Sequence, residues 1–308
     1  MTPNESASAV TPASPIGNMQ LALLSSYGRS GSTLLMKVLS KHPQIVVRTL
    51  HPFETRAAQY YFVCSNHRRE SPSYEPVLYG NVEYLPHQGA DEKSRAWRVT
   101  EGSPSLDNHG FEFACKYYQF VAKLEGKQGV NTIAEKVVGL QVVEELLDAF
   151  GTRARAIYLF RDPRDVFLSV KAFNEKRGFL SFGEERGDEE LLLSIIHFQK
   201  AAAQSVLNDP ERRLAASYEN LLERRVATVT RVFEGLHLGA DDDIVDKVVA
   251  EAFKQDRHFL EHSTSQSSES SVRRWITCEN AEARKLFERF DENISALEHC
   301  VMQAQQVP

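Results

Sequence analysis

The stretch SSYGRSGSTLL, residues 25–35, decides the fold, because it joins a buried strand to a helix through a glycine-bearing turn. The preceding run QLALLSS, residues 20–26, is apolar and ends in small polar residues, which is typical of a buried parallel strand. Gly31 opens a helix with an apolar face that stops before Pro43, and a short strand follows at 45–47. This order predicts a three-layer α/β/α fold with a central parallel sheet.

The turn itself is suited to binding an anion. Backbone N–H groups converge where a strand enters a helix, and the helix dipole is positive there. Gly31 lets the backbone approach an oxyanion, while Arg29 adds charge and a planar fork of donors. Hydroxyl donors follow at Ser30, Ser32 and Thr33. An ordinary tight turn between strand and helix is the alternative interpretation.

The turn differs from the nucleotide-binding P-loop GxxxxGK[ST], in which a Lys reaches the phosphates and the Ser/Thr holds Mg²⁺. Here Ser32 follows Gly31 where the P-loop has its Lys, and no acidic strand end of the Walker-B kind is evident. Binding of ATP with Mg²⁺ is therefore disfavoured, and a P-loop kinase is kept as a rival hypothesis.

Composition limits the classes of function. The chain has 308 residues, a hydrophobic content of 42% that can fill a sizeable core, and a formal net charge of -6. That charge gives no reason to expect nucleic acid as a partner, because a polyphosphate backbone is bound through an excess of Lys and Arg. Four scattered cysteines without a His at ligand spacing indicate neither a disulfide framework nor a metal site. We expect reduced thiols in a cytoplasmic protein.

The chain is expected to form a single domain over residues 19–308, after a disordered leader at 1–18 that is rich in Ser, Thr, Pro and Ala. The sequence contains no apolar run of about 18 residues, the length that would indicate a membrane span. Its first residues lack the basic start and apolar stretch of a secretory signal. Seven of the ten tyrosines fall within the less regular residues 51–132. That insertion would supply the aromatic surface of a lid over an organic ligand, or would have a small core of its own.

A second candidate element follows the best strand in the sequence, ARAIYLF at 154–160. The next residues are RDPRDVFLSV, in which Asp162 can cap a helix and Pro163 can take its first position. The helix therefore begins immediately after Arg161, and Ser169 lies two turns along on the capping face. Taken singly, Arg161 is compatible with a surface salt bridge and Ser169 with a solvated helix.

Together the two elements resemble those of sulfotransferases, which use 3'-phosphoadenosine 5'-phosphosulfate (PAPS) as co-substrate and need no metal. In that family a Lys or Arg at the position of Arg29 precedes Ser-Gly-(Ser/Thr)-Thr, as in RSGST here, and the loop holds the 5'-phosphosulfate. An Arg at a strand end and a Ser eight residues later hold the 3'-phosphate; Arg161 and Ser169 match both type and spacing. The resemblance implies a sulfotransferase fold related to that of the P-loop NTPases.

Two further segments agree with the resemblance. SYENLL at 217–222 is similar to the family segment whose Tyr contacts the adenine, which implies that role for Tyr218. SSESSVRRW at 267–275 is similar to the late loop of the family, and implies a nucleotide-covering loop at 257–276. The residues that it would bring to the nucleotide are Arg273, Arg274 and Trp275. A serine-rich stretch of this kind is otherwise typical of a flexible linker.

Sulfuryl transfer needs an in-line acceptor, a stabilised leaving phosphate and a base for the acceptor's proton. In several sulfotransferases the base is a Glu in an ETR-like segment just after the second strand, and FETR here matches it with Glu54. A partly buried carboxylate can accept a proton at neutral pH. Other members use His, so His51 is a second candidate, and a residue elsewhere in the insertion, such as His109, is a third. An ion pair with Arg56 is the alternative interpretation of Glu54.

Two cations complete the expected catalytic set. Lys136, in AEKVVG, occupies the place of a Lys that stabilises the bridging oxygen in related enzymes; the alternative is a solvated Lys at a strand end. Arg29 and the loop amides would stabilise the charge that grows on the leaving phosphate.

The resulting hypothesis is a cytoplasmic, PAPS-dependent sulfotransferase that moves a sulfuryl group onto a hydroxyl and releases adenosine 3',5'-bisphosphate. The acceptor is expected to be a small molecule, carbohydrate, lipid or polyketide, and the sequence does not choose among them or fix an oligomeric state. The rival hypotheses are a small-molecule kinase of the P-loop type and a non-catalytic nucleotide-binding protein with the same fold.

Overall fold

The structure is a computed structural model that describes residues 19–50, 52–60, 106–254 and 269–307. Several sequence predictions fall on residues outside these ranges: the leader at 1–18, His51, most of the insertion and the first part of the covering loop. The side chain of His109 also lies outside the description.

Within the described residues, five parallel strands form a central sheet in the order β2-β3-β1-β4-β5. The strands are β1 (Gln20–Ser25), β2 (Ile45–Val46), β3 (Thr132–Val137), β4 (Ala154–Phe160) and β5 (Arg213–Ser217). Helices flank this sheet, so the predicted α/β fold with a central parallel sheet is confirmed.

The helices lie between and after the strands. They are α1 (Ser32–Lys41), α2 (Leu106–Leu124), α3 (Leu140–Phe150), α4 (Pro163–Arg177), α5 (Asp188–Asn208), α6 (Tyr218–Glu223), α7 (Arg225–Gly235), α8 (Asp242–Ala252), α9 (Ala281–Arg289) and α10 (Asp291–Gln306). Residues 57–60 are also helical, and short 3₁₀ turns occur at Glu269–Ser271 and Arg274–Thr277. No helix in the described part of the chain is long and apolar enough to cross a membrane.

The apolar pattern of the sequence over residues 220–236 predicts one helix, and this prediction is wrong, because two helices, α6 and α7, occupy the region. Arg224 between them leaves the helical region of backbone space, with φ -132 and ψ 52. The carbonyl of Asn220 accepts from the amide of Arg224 at 2.8 Å and, as a second bond, from the hydroxyl of Thr228 at 3.0 Å, so α7 is joined to the end of α6. The apolar periodicity continues across this break, which is why the sequence pattern did not reveal it.

Both faces of the sheet are covered, which explains the continuous apolar run of β1. Leu21 and Leu23 face one core, packed with α2, α3, α5 and α10, while Ala22 and Leu24 face the other, packed with α1, α7 and α8. Full burial of a leucine side chain contributes about 1.5–3 kcal/mol. Because all strands are parallel, the segments that follow β1, β3, β4 and β5 meet at one edge of the sheet, where open α/β folds bind ligands.

Candidate active site

The turn between β1 and α1 brings two residues with positive φ to the carboxyl edge of the sheet. Arg29 has φ 67 and Gly31 has φ 92, a region that L-residues rarely adopt. A Cβ atom on Gly31 would lie 2.2 Å from Cδ2 of Tyr218, so only glycine leaves space for the tyrosine ring against the loop backbone. Gly31 caps α1 without a side-chain bond. The buried Ser30 hydroxyl has no hydrogen-bond partner among the described residues.

Arg161, the first residue after β4, connects the turn to two distant segments. Its guanidinium donates from Nη1 to the main-chain oxygen of Arg29 at 2.7 Å and from Nη2 to that of Ser271 at 2.6 Å. Its Cζ atom lies 4.7 Å from the centre of the Tyr218 ring. Arg161 is therefore buried where the β1–α1 turn, the end of β5 and the segment at 271 meet, and it is not in a surface salt bridge.

Helix α4 begins as the sequence predicted and carries Ser169 on its buried face. The Asp162 carboxylate accepts a hydrogen bond from the amide of Arg164, and Pro163 takes the first helical position. Ser169 is buried two turns along this helix, one turn beyond the buried Asp165. A solvated position for Ser169 is therefore wrong.

The segment after residue 270 is held over this site by side chains from other elements. The Tyr218 hydroxyl shares a hydrogen bond of 2.7 Å with the hydroxyl of Ser271. The Asp165 carboxylate accepts from the amide of Arg273 at 2.6 Å and from the amide of Trp275 at 3.1 Å. Burial raises the pKa of Asp165 to about 6, with the charge of Asp162 adding to the effect and that of Arg161 opposing it.

The three residues expected from the covering loop lie in different surroundings. The exposed guanidinium of Arg273 pairs with Glu223 at 3.1 Å. Arg274 is half-buried, and burial together with the charge of Arg161 lowers its pKa. The Trp275 ring lies under the guanidinium of Arg164, 3.6 Å from its Cζ atom. Arg274 thus lies within reach of the charge of Arg161.

Lys136 lies on β3 and is buried, with 7% of its surface exposed, so a solvated lysine is wrong. Its ammonium donates to the hydroxyl of Thr33 at 3.0 Å and to the main-chain oxygen of Pro52 at 2.6 Å. The pKa of Lys136 is lowered to about 8, chiefly by burial; the charge of Glu54 opposes this shift, and the charges of Arg56 and Arg29 add to it. The lysine therefore joins the start of α1 to the segment that carries Glu54.

Glu54 and Arg56 are half-buried on this segment. The charge of Glu54 acts on both Lys136 and Arg56. Burial is the largest effect on the pKa of Arg56 and lowers it. The structure thus brings Glu54, of the three candidate bases, to Lys136, while His51 and the His109 side chain lie outside the described residues.

Several cations converge at this edge of the sheet. Burial lowers the pKa of Arg29 to about 10, and the charges of Arg161, Arg177 and Arg274 contribute to the shift. Like charges held this close destabilise one another unless an anion lies between them. A site of this composition, next to the positive end of α1, is suited to a ligand with more than one anionic group.

Sequence reasoning missed four polar residues of this region. Asp165 accepts from the segment that follows residue 270, and Ser271 is the residue of that segment that accepts from Arg161. The buried Gln199 accepts from the Arg161 amide at 3.4 Å. Glu135 is fully buried next to Lys136 in the sequence. Glu135 had a signal, because a carboxylate inside the apolar strand TIAEKV must be paired to be stable. Among the described residues, no cluster of three or more His, Cys, Asp or Glu side chains is arranged to hold a metal ion.

Solved structures similar to this one are sulfotransferases. A sulfotransferase from Alicyclobacillus acidocaldarius aligns with 16% identity over 92% of this chain and 96% of its own, with a TM-score of 0.50. A mouse sulfotransferase complexed with PAP aligns with 12% identity over 94% of this chain and 92% of its own, with a TM-score of 0.47. At 16% identity, the likeness to the first of these structures concerns the fold.

Comparison by sequence gives a family but no individual relative. No curated protein matches this chain at a significant level. The model of the sulfotransferase family matches residues 24–242, well over half of the chain and including the β1–α1 turn, Lys136, Arg161 and Tyr218. This protein therefore belongs to the sulfotransferase family.

Proposed function

We propose that this protein transfers the sulfuryl group of PAPS to a hydroxyl of an organic acceptor and releases adenosine 3',5'-bisphosphate. The observation that carries the proposal is the position of Arg161, which joins the β1–α1 turn to residue 271 beside the Tyr218 ring. A ligand with anionic groups at both ends of an adenosine would meet donors from all of these segments. Family membership supports the same reaction class.

In this proposal each end of PAPS has its own set of residues. The 5'-phosphosulfate binds the amides at the start of α1, the hydroxyls of Ser30, Ser32 and Thr33, and Arg29. The 3'-phosphate binds Arg161 and Ser169. Tyr218 contacts the adenine, and the covering segment adds Arg273, Arg274 and Trp275. The buried Ser30 hydroxyl and the crowded cations support this fit, because an anion would satisfy the first and stabilise the second.

The proposed transfer of the sulfuryl group forms one bond to sulfur and breaks another. The acceptor oxygen forms a bond to sulfur while the bond from sulfur to the bridging phosphate oxygen breaks, and that oxygen keeps the electron pair. Glu54 takes the proton of the acceptor hydroxyl. Lys136 and Arg29 stabilise the charge on the leaving phosphate. His51 and His109 are retained as the other candidates for the base.

An apolar acceptor surface lies next to Arg29. The ring of Phe173 lies 4.5 Å from Cζ of Arg29, and it packs edge-on against Phe182 with ring centres 5.8 Å apart. Phe179, Leu180 and Phe182 are exposed in the same loop. These side chains support an acceptor with an apolar body, and they add to any aromatic surface of the insertion.

Stabilisation by nucleotide tests the proposal. Adenosine 3',5'-bisphosphate without magnesium should raise the melting temperature, since a ligand at 100 times its Kd adds about 2.7 kcal/mol. Arg161→Ala should abolish this shift, while Arg284→Ala, on the exposed surface of α9, should keep it. A shift with ATP and Mg²⁺ but none with the bisphosphate would favour the kinase and overturn the proposal.

Transfer of ³⁵S from PAPS into a metabolite extract tests the reaction and names the acceptor class. We expect labelled product with the wild-type protein and a large loss with Glu54→Gln and with Lys136→Ala. Binding of the bisphosphate without any label transfer would instead indicate a non-catalytic nucleotide-binding protein.

A further inference from the structure

Glu135 is a fully buried carboxylate at the carboxyl end of β3 that the proposed chemistry does not use. Its Oε1 accepts from the amide of Ala58 at 2.7 Å and from the hydroxyl of Tyr118 at 2.6 Å. Its Oε2 accepts from the amide and the side chain of Gln59, at 3.3 and 3.4 Å. Burying a carboxylate costs free energy unless it is hydrogen-bonded in this way. An apolar side chain at this position would avoid that cost, so we expect a role of Glu135 beyond stability.

Glu135 and Lys136 lie on opposite faces of the sheet, because successive residues of a strand alternate. Tyr118, the partner of Glu135, belongs to the core on the α2 side, whereas Lys136 reaches Thr33 at the start of α1. Two neighbouring residues of β3 thus make contacts on the two opposite faces of the sheet, Glu135 with α2 and Lys136 with α1.

Both residues hold the same segment of chain, residues 52–60. Glu135 accepts from two amides in the helical turn at 57–60, and Lys136 donates to the carbonyl of Pro52. Gln59 closes the connection, since its side-chain amide donates to the main-chain oxygen of Lys136 at 2.6 Å. Glu54 lies between the two points of attachment.

Charges of alternating sign follow one another across this segment. Against the lowering by burial, the carboxylates of Glu54 and Glu135 both raise the pKa of Arg56. Again beside the larger effect of burial, the pKa of Lys136 is raised by the carboxylate of Glu54 and lowered by the guanidinium of Arg56. Arg56 is therefore attracted by a carboxylate of segment 52–60 and by the buried carboxylate of β3.

We propose that Glu135 is a positioning residue for sulfuryl transfer. Its carboxylate, together with Tyr118, fixes segment 52–60 and with it the position of the Glu54 carboxylate relative to Lys136. The proposal rests on the proposed function, in which Glu54 takes the proton of the acceptor.

Turnover and nucleotide binding separate this role from a general loss of stability. Glu135→Gln should lower kcat by about 100-fold, the size expected for a displaced catalytic group. The Kd of adenosine 3',5'-bisphosphate should stay within about twofold, since binding uses other residues. Tyr118→Phe, which keeps the ring in the core, should lower kcat less, and it provides the test if Glu135→Gln does not fold.

Glu144, on α3, provides a control. Its carboxylate also accepts from a tyrosine, Tyr158 at 3.2 Å, and from Ser205 at 2.7 Å, but it does not touch segment 52–60. Glu144→Gln and Tyr158→Phe should reduce stability and leave kcat unchanged at a temperature where the protein is folded. Equal losses of kcat in the Glu144 and Glu135 variants would overturn the inference.

A double-mutant cycle tests whether Tyr118 acts through Glu54. In the Glu54→Gln background, Tyr118→Phe should cause no further loss of kcat, whereas independent effects would add. Additive losses overturn the inference. Hydrogen exchange gives a readout without activity: the amides of Ala58 and Gln59 should lose protection in Glu135→Gln but keep it in Glu144→Gln.

The outcomes distinguish the two proposals. Full kcat in a Glu135→Gln protein that has lost amide protection overturns the positioning role alone. A wild-type protein that transfers no label from PAPS overturns the proposed function, and the positioning role with it.

Discussion

At Lys136, burial and neighbouring cations lower the pKa to about 8. The ammonium is charged below that value and neutral above it, so kcat/KM for PAPS should fall as the pH rises through about 8. The profile of kcat/KM reports the free enzyme, to which this pKa belongs. Lys136→Arg should move the fall to much higher pH, because a guanidinium stays charged.

Lys127 serves as the control for this prediction. Burial also lowers its pKa to about 8, but its ammonium donates to the carbonyls of Ser40, His42 and Ile45, near the end of α1. Lys127→Arg should therefore keep the alkaline fall. Persistence of the fall in Lys136→Arg, or its loss in Lys127→Arg, would contradict the assignment.

Two features restrict position 31 to glycine: the positive φ and the contact with the Tyr218 ring. Comparing Gly31→Ala with Gly129→Ala separates their effects. Gly31→Ala must adopt φ near 92 and also displace the Tyr218 ring, whereas Gly129→Ala, at φ 66, meets nothing within 4 Å. Gly129→Ala should lose about 1–2 kcal/mol of unfolding free energy from backbone strain. Gly31→Ala should lose more, and should also weaken binding of the bisphosphate. Urea unfolding and a binding titration measure the two effects; equal losses of stability would show that the ring contact costs nothing.

At the scale of elements, Asp165 connects α4 to the segment that follows residue 270. The pKa of the Asp165 carboxyl is raised from 3.8 to about 6 in the folded protein. The stability that depends on the protonated carboxyl is therefore fully present below the unfolded value and is lost as the pH rises through about 6. Asp165→Asn cannot titrate, so the unfolding free energy of the wild type relative to this variant should fall between pH 4 and 6.

The expected slope is at most about 1.4 kcal/mol per pH unit. Urea unfolding at a series of pH values measures it. Parallel pH dependences of the two proteins would show that the pKa of Asp165 is not raised by folding.

At the scale of the whole molecule, α10 connects parts of the chain that are distant in sequence. It packs on α5 and β5, and it contributes Ile294 and Leu297 to one core cluster and Ala304 to another. Leu297→Ala should cost about 2–5 kcal/mol of unfolding free energy. Met302→Ala, on the same helix, is the control and should change it by less than about 0.5 kcal/mol.

Exposure explains the contrast, since 1% of the Leu297 surface and 50% of that of Met302 is accessible. Thermal or urea unfolding measures both. Similar effects of the two substitutions would mean that α10 does not stabilise the fold through this core.

Strands β1, β2 and β4 and the start of α4 were predictable because their signals are local. Parallel strands covered on both faces appear as apolar runs, and Asp162 with Pro163 marks a helix start. The break at Arg224 was not predictable, because the apolar pattern continues through it and the backbone departs from helical geometry at this one residue. The predicted roles of Arg161, Ser169 and Tyr218 remain predictions, although the structure brings their segments to one edge of the sheet.

The sequence by itself determined the fold class and the order of its elements, since strand, turn and cap depend on residues within a few positions of one another. Only the tertiary structure decided which charges are buried and what they contact. Lys136 reaches Pro52, Glu135 reaches Tyr118 and Gln59, and Arg161 reaches residue 271 across 110 positions of chain. The free energy of a charged group depends on its burial and its partners, and both arise only when distant segments pack together.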